Sequence, residues 1–354
     1  MEEFSALQEQ IIKTKKDKVI VHSCAGSGKT KSLIGRLQFL LDSGIPPHNI
    51  VAVTFTNAAA EEIMERLKHS DGIFVGTVHS LANFYLKTYG IDTSDIIADE
   101  EFDKLFERVK KNPNCIQLVE HLLLDEGQDS TLQQIEFLLG MIKPKNWMIF
   151  ADTRQSIFGF NNAIPEVILG LMMQKGTTVY DLNENYRNAP TILRFAKKLI
   201  NGSILGDYEL YDDSICMNDE IPGYVNEVEY LPSRVISFIQ EDPQYSKWFV
   251  LTRTNAQLDN VVAYLTRAGI PCDTFKRSQI TSEEFKEKMA NNSVKVLTVH
   301  SAKGLEADNV IVIGVSKWNK KAEERRVAYV AATRARKKLI WMRSAPKKRL
   351  QSWE

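Results

Sequence analysis

The sequence is poor in cysteine and lacks the spacings that bind a metal or build a disulfide framework. Its four cysteines, Cys24, Cys115, Cys216 and Cys272, are widely separated and form no Cys-x-x-Cys pair, which argues against zinc and favours reduced thiols. The acidic N-terminus has no apolar core like that of a signal peptide. No apolar run approaches the roughly 18 residues that span a bilayer. These absences predict a cytoplasmic protein without a membrane contact.

An excess of positive charge, which often marks a nucleic-acid-binding chain, is also missing. The 45 Lys and Arg residues equal the 45 Asp and Glu residues, so the formal net charge is zero. Any nucleic-acid site must therefore come from a local basic or aromatic track. The composition is otherwise that of a globular protein, with 44% hydrophobic residues. A length of 354 residues suits two domains.

Short apolar runs alternate along the chain with segments of helical periodicity, as in an α/β fold. Unbroken runs of this kind are typical of strands buried on both faces of a parallel sheet. The runs are 19–21, 50–53, 122–124, 147–150, 249–251, 294–299 and 310–313, and helices are predicted at 30–41, 58–67 and 323–338. An irregular middle stretch separates two such series. We therefore predict one domain over 1–180, with a small helical insertion at about 81–120, and a second over 181–354.

A glycine-rich segment lies between the first apolar run and the first predicted helix. It reads Ser23-Cys24-Ala25-Gly26-Ser27-Gly28-Lys29-Thr30. This strand, loop and helix context is typical of a phosphate-binding loop, although the strict pattern begins with Gly where this chain has Ser23. Its glycines let backbone N–H groups converge on phosphate oxygens. Lys29 is expected to reach the β- and γ-phosphates of ATP, and the Thr30 hydroxyl to hold Mg²⁺.

Two carboxylates follow the apolar run at 122–124. Asp125 would stand at the tip of a buried strand, where it can hold the Mg²⁺ shell, and Glu126 can orient and deprotonate a water molecule. Acidic residues commonly end strands, so the pair gains its meaning from the preceding phosphate-binding loop.

Further strings resemble, in order, the motifs of the UvrD/Rep/PcrA helicases of superfamily 1. The resemblance extends from Phe4 to about Leu339 and implies two RecA-like domains with ATP hydrolysed at their interface. The matching segments are Gln8 for the Q motif, then 53–61, 76–80, 125–130, 152–160, 183–187, 299–306 and 329–335 for motifs Ia, Ib, II, III, IV, V and VI.

The resemblance implies roles for further residues around the nucleotide. Arg187 and Arg334 would act as arginine fingers that neutralise charge on the transferring phosphoryl group, and Gln155 would sense the γ-phosphate. Gln8 would bond the adenine edge and Tyr186 would stack on the base. Motif V adds Gly304 and Glu306, the latter for the ribose, and Lys31 stands where the family usually has an Arg. Because Lys lacks the planar guanidinium that stacks on a ring, nucleotide affinity or base selectivity is expected to suffer.

The resemblance also implies a track for single-stranded DNA that combines aromatic platforms with backbone contacts. The stacking positions are Phe55, Phe158 and Phe160, and the polar contacts would come from Thr56, Asn57, His79, Thr298 and His300. In motif III the family commonly has Tyr and Trp where this chain has Phe158 and Phe160, and Arg where it has Asn161. These departures predict a weaker hold on the strand. With zero net charge, we expect modest affinity and strong salt sensitivity.

Together these features predict an ATP- and Mg²⁺-dependent translocase or helicase that moves 3′ to 5′ on single-stranded DNA or a 3′-tailed duplex. Only 46 positions separate His79 from Asp125 and 47 separate Leu251 from Thr298, so the family's accessory insertions are expected to be reduced. Unwinding should then be weak or need a protein partner for strand separation or loading. A regulatory ATP switch with a protein partner and an RNA-directed helicase remain alternatives. Repair, replication, phage and defence roles are all compatible with the sequence, in a nucleoid or host cytoplasm.

Overall fold

The computed structural model of the chain describes residues 3–68, 71–159, 162–275, 280–315 and 322–343. The chain divides into two compact units, Met1–Asn183 (unit 1) and Glu184–Glu354 (unit 2). Each has an α/β fold built on a parallel sheet, as expected of RecA-like domains. Among the helices of the described ranges, none is both long enough and apolar enough to cross a bilayer.

Within its described residues, unit 1 contains a six-stranded sheet in which every neighbouring pair is parallel. The strand order is β3-β2-β4-β5-β1-β6. The four predicted strands of this unit are confirmed, and the structure adds β3 and β6, whose half-buried residues form no continuous apolar run. Position 180, the predicted domain boundary, lies inside β6. The strands are β1 Lys18–Ser23, β2 Ile50–Thr54, β3 Phe74–Thr77, β4 His121–Leu124, β5 Asn146–Ala151 and β6 Thr178–Leu182.

Helices cover both faces of this sheet, and one apolar cluster packs on each face. The helices are α1 Ala6–Lys13, α2 Lys29–Asp42, α3 Asn57–Arg66, α4 Val78–Thr88, α5 Ser94–Ala98, α6 Lys104–Lys111, α7 Leu132–Ile135 with a π-helical continuation at Glu136–Met141, and α8 Pro165–Met173. The segment predicted as a helical insertion holds most of α4 together with α5 and α6.

Parallel pairing decides where the loops of unit 1 meet. The carboxyl ends of parallel strands share one edge of the sheet, so the segments that follow β1, β4 and β5 lie side by side there. Because β5 pairs with both β1 and β4, the residues after β5 stand between the other two segments. This order positions the candidate site described below.

Unit 2 also contains a six-stranded parallel sheet among its described residues, in the order β11-β16-β15-β12-β14-β13. A parallel pair, β7 and β10, and an antiparallel pair, β8 and β9, precede it. The strands are β7 Glu184–Asn185, β8 Ser203–Leu205, β9 Tyr208–Leu210, β10 Ile215–Cys216, β11 Tyr224–Glu229, β12 Trp248–Thr252, β13 Cys272–Asp273, β14 Val294–Thr298, β15 Ala307–Val312 and β16 Ala335–Arg343.

One predicted helix of unit 2 is wrong over its last six residues. The helix ends at Ala332 and β16 begins at Ala335, whereas the prediction ran to Lys338. The apolar residues 339–342 are buried because β16 pairs with β11 on one side and β15 on the other. The helices of this unit are α9 Pro190–Ile200, α10 Pro232–Gln240, α11 Asn255–Arg267, α12 Ser282–Ala290 and α13 Ala322–Ala332.

Candidate functional site

The phosphate-binding loop connects β1 to α2 and has the backbone shape that its glycines permit. Gly26 and Gly28 have φ values of 66° and 77°, in the left-handed region. A Cβ at Gly28 would lie 2.9 Å from Gln8 Nε2, so a side chain there is excluded by space as well as by conformation. The Ser27 hydroxyl is buried and has no hydrogen-bond partner among the described residues. An anionic oxygen bound in the loop would supply one.

Residues from two distant segments meet at the start of α2. The Thr30 hydroxyl donates to Asp125 Oδ2 at 3.0 Å, and the Lys29 ammonium lies 3.7 Å from Glu126 Oε1. A hydroxyl beside a carboxylate is the pair of hard oxygen ligands that Mg²⁺ uses together with waters and phosphate oxygens. The donor set therefore fits a magnesium nucleotide, with the Lys29 ammonium available to the phosphates.

A bound cation would stabilise the charged form of Asp125 at the tip of β4, which burial and a neighbouring carboxylate disfavour. Burial, reinforced by the neighbouring charge of Glu126, raises the pKa of Asp125 to about 6, although Lys29 and the Thr30 hydrogen bond oppose the shift. Glu126 itself adopts a left-handed backbone conformation with φ 52°, which is costly for a residue with a side chain. Its N–H donates to Asp125 Oδ1 at 2.9 Å, which helps to hold this turn.

Gln128 lies at the centre of the site, although the motif II segment that contains it predicted a role only for Asp125 and Glu126. It is fully buried, and its Nε2 donates to Glu126 Oε2 at 2.5 Å. Its Oε1 accepts from the main-chain N–H of Asp152 at 2.9 Å. The spacing Asp-Glu-x-Gln was visible in the sequence, but only the neighbouring position of β5 shows that Gln128 joins two segments.

The turn after β5 contributes a buried ion pair. Arg154 Nε donates to Asp152 Oδ1 at 2.8 Å, and Arg154 Nη2 donates to the carbonyl of Ser23 at 2.6 Å. Gln155 Nε2 donates to Asp152 Oδ2 at 2.7 Å. Burial acts to raise the pKa of Asp152, but the charges of Arg154 and Lys29 and these hydrogen bonds together hold it below its ordinary value. The turn that contains Gln155 is thereby tied to the end of β1.

The two residues of unit 1 that are predicted to lie at the adenine, Gln8 and Lys31, each donate to a main-chain carbonyl. Gln8 is buried and its Nε2 donates to the carbonyl of Ser27 at 3.1 Å, while its Oε1 accepts from the Ser5 N–H in a capping box. The Lys31 ammonium donates to the carbonyl of Glu3 and lies 5.0 Å from the centre of the Phe4 ring. Gln8 thus supports the floor of the phosphate-binding loop.

The predicted nucleotide residues of unit 2 lie near one another on motifs IV to VI. Arg187 Nε donates to Glu306 Oε2, and Gly304, with φ 82°, forms the turn just before it. Arg334 is buried, and its guanidinium donates to the carbonyls of Val330 and Leu305 at 3.0 and 3.2 Å. Tyr186 is 39% exposed, and its hydroxyl donates to Glu184 Oε2 at 3.0 Å.

Two of the predicted stacking residues form an aromatic pair on unit 1. The rings of Phe55, which follows β2, and Phe158, which follows β5, are stacked with centroids 5.1 Å apart and an interplanar angle of 24°. Phe55 is 36% exposed. The third stacking residue, Phe160, and the neighbouring Asn161 lie outside the described residues.

The polar residues of the predicted DNA track are engaged locally. Thr56 caps α3 by accepting from the Ala59 N–H, and Asn57 is the first residue of that helix. His79 Nε2 lies 2.9 Å from Asp103 Oδ1, and the His79 ring stacks on Phe106. In unit 2, the Thr298 hydroxyl donates to the Ser301 hydroxyl at 3.0 Å, and His300 lies in the same turn.

Comparison with known protein families yields matches in both units. A model of the UvrD/REP helicase N-terminal domain matches residues 4–114 and 91–175. A model of the UvrD-like helicase C-terminal domain matches residues 273–345.

Individual relatives agree with these matches. The chain is 27% identical over 198 residues to the ATP-dependent DNA helicase HMI1, mitochondrial, of Saccharomyces cerevisiae, covering 51% of this chain and 28% of that protein. It is 23% identical to a probable DNA helicase of Mycoplasma pneumoniae, covering 91% of this chain and 79% of the relative. It is 24% identical to the ATP-dependent DNA helicase PcrA of Staphylococcus epidermidis, covering 75% of this chain and half of the relative.

Proposed function

The chain belongs to the UvrD/PcrA-like superfamily 1 helicases, and we propose that it couples ATP hydrolysis to movement along single-stranded DNA. The observation that supports this most directly is the meeting of Lys29 and Thr30 with Asp125 and Glu126. An ammonium, a hydroxyl and two carboxylates at a glycine loop suit phosphoryl transfer, which depends on positioning and charge stabilisation.

The predicted phosphate-binding, metal-binding and catalytic residues of unit 1 each have a role in this proposal. Lys29 binds the β- and γ-phosphates, and Thr30 and Asp125 hold Mg²⁺. When bound, Mg²⁺ would neutralise charge on the phosphate oxygens. Glu126 orients the attacking water and accepts its proton. Gln155, bonded to Asp152 in the turn after β5, responds to the presence of the γ-phosphate.

In unit 2 we propose Arg187 and Arg334 as arginine fingers, Glu306 as the ribose ligand and Tyr186 as the base-stacking ring. Gln8, which supports the phosphate-binding loop through the Ser27 carbonyl, is proposed to reach the adenine edge when nucleotide is bound. These assignments follow the motif positions, and the present contacts of Arg187 and Glu306 with each other would have to open.

The aromatic pair Phe55 and Phe158 supports DNA as the track. Rings in the segments that follow β2 and β5 offer flat apolar surfaces to unstacked bases, and stacking of this kind does not require a particular sequence. We propose 3′-to-5′ movement. We also propose that unwinding is weak without a partner, because the accessory stretches are short. Among the described residues, the stretch between β3 and β4 holds only α4 to α6 and a short 3₁₀ helix, and that between β12 and β14 holds only α11, β13 and α12.

An ATPase assay with and without single-stranded DNA tests the central proposal. We expect DNA to raise kcat, and Lys29→Ala to abolish turnover with or without DNA. A turnover rate that single-stranded DNA does not change would instead favour a regulatory ATP switch. Stronger stimulation by an RNA strand of the same sequence would favour an RNA-directed enzyme.

Polarity and unwinding need separate assays. Displacement of streptavidin from the 5′ but not the 3′ end of a biotinylated strand would support 3′-to-5′ movement. For unwinding, we expect the purified chain to separate a 3′-tailed duplex slowly. Rapid, processive separation by the chain alone would contradict the proposed dependence on a partner.

A further inference from the structure

Gln128 occupies a position that the proposed mechanism does not yet use. Its amide is fully buried between the segment after β4 and the segment after β5. One end of the amide donates to the Glu126 carboxylate, and the other accepts from the main-chain N–H of Asp152. A single side chain therefore connects the residue that activates water to the turn that contains Gln155.

We propose that Gln128 is a positioning residue that fixes the Glu126 carboxylate and links its position to DNA bound at Phe158. The proposal rests on the proposed function of the same site. Gln128 touches neither nucleotide nor DNA in this scheme, so its effect would be exerted entirely through Glu126 and Asp152.

The first half of the proposal follows from the geometry of Glu126. Its backbone is in the left-handed region, and its carboxylate stands at a partly exposed site, 3.7 Å from the Lys29 ammonium. When phosphates draw Lys29 away, the hydrogen bond from Gln128 still fixes one carboxylate oxygen. A general base must be held to within a fraction of an ångström of its productive position, because a misplacement of about 1 Å can cost about 100-fold in rate.

The second half follows from the chain path after β5. The Asp152 N–H is anchored by Gln128, and the Asp152 carboxylate accepts from Arg154 and Gln155. Phe158, whose ring stacks on Phe55, lies six residues after Asp152 in the same segment. A base that inserts at this aromatic pair shifts the segment, and Gln128 passes that shift to the Glu126 carboxylate.

Replacement of Gln128 by Met tests the first half, because Met has a similar volume but makes neither hydrogen bond. We expect kcat for ATP to fall by about 10- to 100-fold, with KM changed by less than about threefold. Gln134→Met is the matched control: this buried glutamine of α7 accepts from the Thr131 N–H in a capping box, and among the described residues no hydrogen bond joins it to Glu126. An unchanged kcat in the Gln128→Met protein would overturn the proposal.

Gln128→Leu serves as a second variant if Gln128→Met unfolds. Leu is also apolar and makes neither hydrogen bond, but its branched side chain packs differently from that of Met. A loss of kcat comparable to that expected for Gln128→Met, with thermal unfolding like that of the parent protein, would support a positioning role. Parent-like kcat in this folded variant would overturn it.

A double-mutant cycle with Phe158→Ala tests the link to DNA. At saturating single-stranded DNA, we expect Phe158→Ala to lower the DNA stimulation of kcat in the parent protein but to have little further effect in the Gln128→Met background. Multiplicative effects would overturn the link. If the parent protein shows no DNA stimulation, the proposed function and the link both fail, whereas the effect of Gln128→Met on DNA-independent kcat still decides the positioning role.

Discussion

Replacement of Arg154 by Met is the most informative perturbation of stability in unit 1. The side chain is 2% exposed and pairs with the fully buried Asp152. It also donates to the Ser23 carbonyl at the end of β1. Met keeps much of the volume but leaves a buried carboxylate and a buried carbonyl without these donors. The loss should therefore exceed that of a surface ion pair, which is typically about 0–1 kcal/mol.

The expected cost is set by the charge that remains. Removal of one partner of a buried ion pair typically costs about 3–5 kcal/mol. Asp152 retains its hydrogen bond from Gln155 and the nearby charge of Lys29, so we expect the lower end, about 3 kcal/mol. For a domain of this size, about 2–4 °C of Tm is lost per kcal/mol, which predicts a decrease of roughly 6–12 °C.

The pH dependence follows from the pKa of Asp152. In the parent protein this pKa lies below its ordinary value, so the ionised group stabilises the fold above its unfolded-state pKa, and this contribution is lost as pH falls through the folded pKa. Without Arg154, burial dominates and raises the pKa of Asp152 instead. The deficit of the variant should therefore be largest near pH 8 and shrink toward pH 5, as the carboxyl group takes up a proton.

Urea unfolding of the nucleotide-free protein at pH 5 and pH 8 measures both the free-energy cost of Arg154→Met and its change with pH. The double variant Asp152→Asn/Arg154→Met is the control, because it removes the buried charge. Its deficit in unfolding free energy relative to the parent protein should hardly change between pH 5 and pH 8. A deficit under about 1 kcal/mol for Arg154→Met, or one that does not change with pH, would refute the reasoning.

Three further predictions concern the sites themselves. Gly28→Ala should destabilise the protein by about 1–2 kcal/mol, because φ is 77° there, and should weaken ATP binding in calorimetry; parent-like affinity would contradict this. Phe55→Ala and Phe158→Ala should each weaken single-stranded DNA binding by about 1–3 kcal/mol in fluorescence anisotropy. Because their rings stack on each other, the double variant should lose less than the sum, and strict additivity would count against a shared platform. Glu126→Gln should lower kcat by about 10²- to 10⁴-fold while ATP still binds, and normal turnover would remove Glu126 from the mechanism.

Much of the sheet framework could be predicted because buried parallel strands leave a direct mark on the sequence. The runs that became β1, β2, β4 and β5 are continuous and apolar because both faces of the sheet are covered. The same logic fails for β3 and β6, whose side chains are only partly buried and mix polar with apolar types. It fails again at α13. The helix ends earlier than predicted because the apolar residues 339–342 are buried in the sheet as part of β16.

The site could be anticipated only as far as strand ends can be located. Lys29, Thr30 and Asp125 follow predicted strands, so their meeting at one sheet edge was expected. The roles of Gln128 and Arg154 depend on which strand lies beside which, since β5 must stand between β1 and β4 for either side chain to reach across. Nothing in a polar residue's type shows that it will be buried, and the roles assigned to Phe160 and the other site residues stay predictions.

The contacts of unit 2 distinguish the two proposed arginine fingers. The pair of Arg187 with Glu306 is half-buried, with the Arg187 side chain 15% exposed and the Glu306 side chain 40% exposed. Separating a surface ion pair costs about 0–1 kcal/mol, and this pair should cost somewhat more. Arg334 is buried against the carbonyls of Val330 and Leu305. The Val330 carbonyl would keep the Thr333 hydroxyl as a donor, but a buried carbonyl left without a donor, as at Leu305, costs about 1–3 kcal/mol. Arg187 can therefore turn toward a phosphate at a lower cost to its own unit than Arg334. Arg334 can do so only if motif VI rearranges, which makes it the residue better suited to report a change in the fold of unit 2 when nucleotide binds.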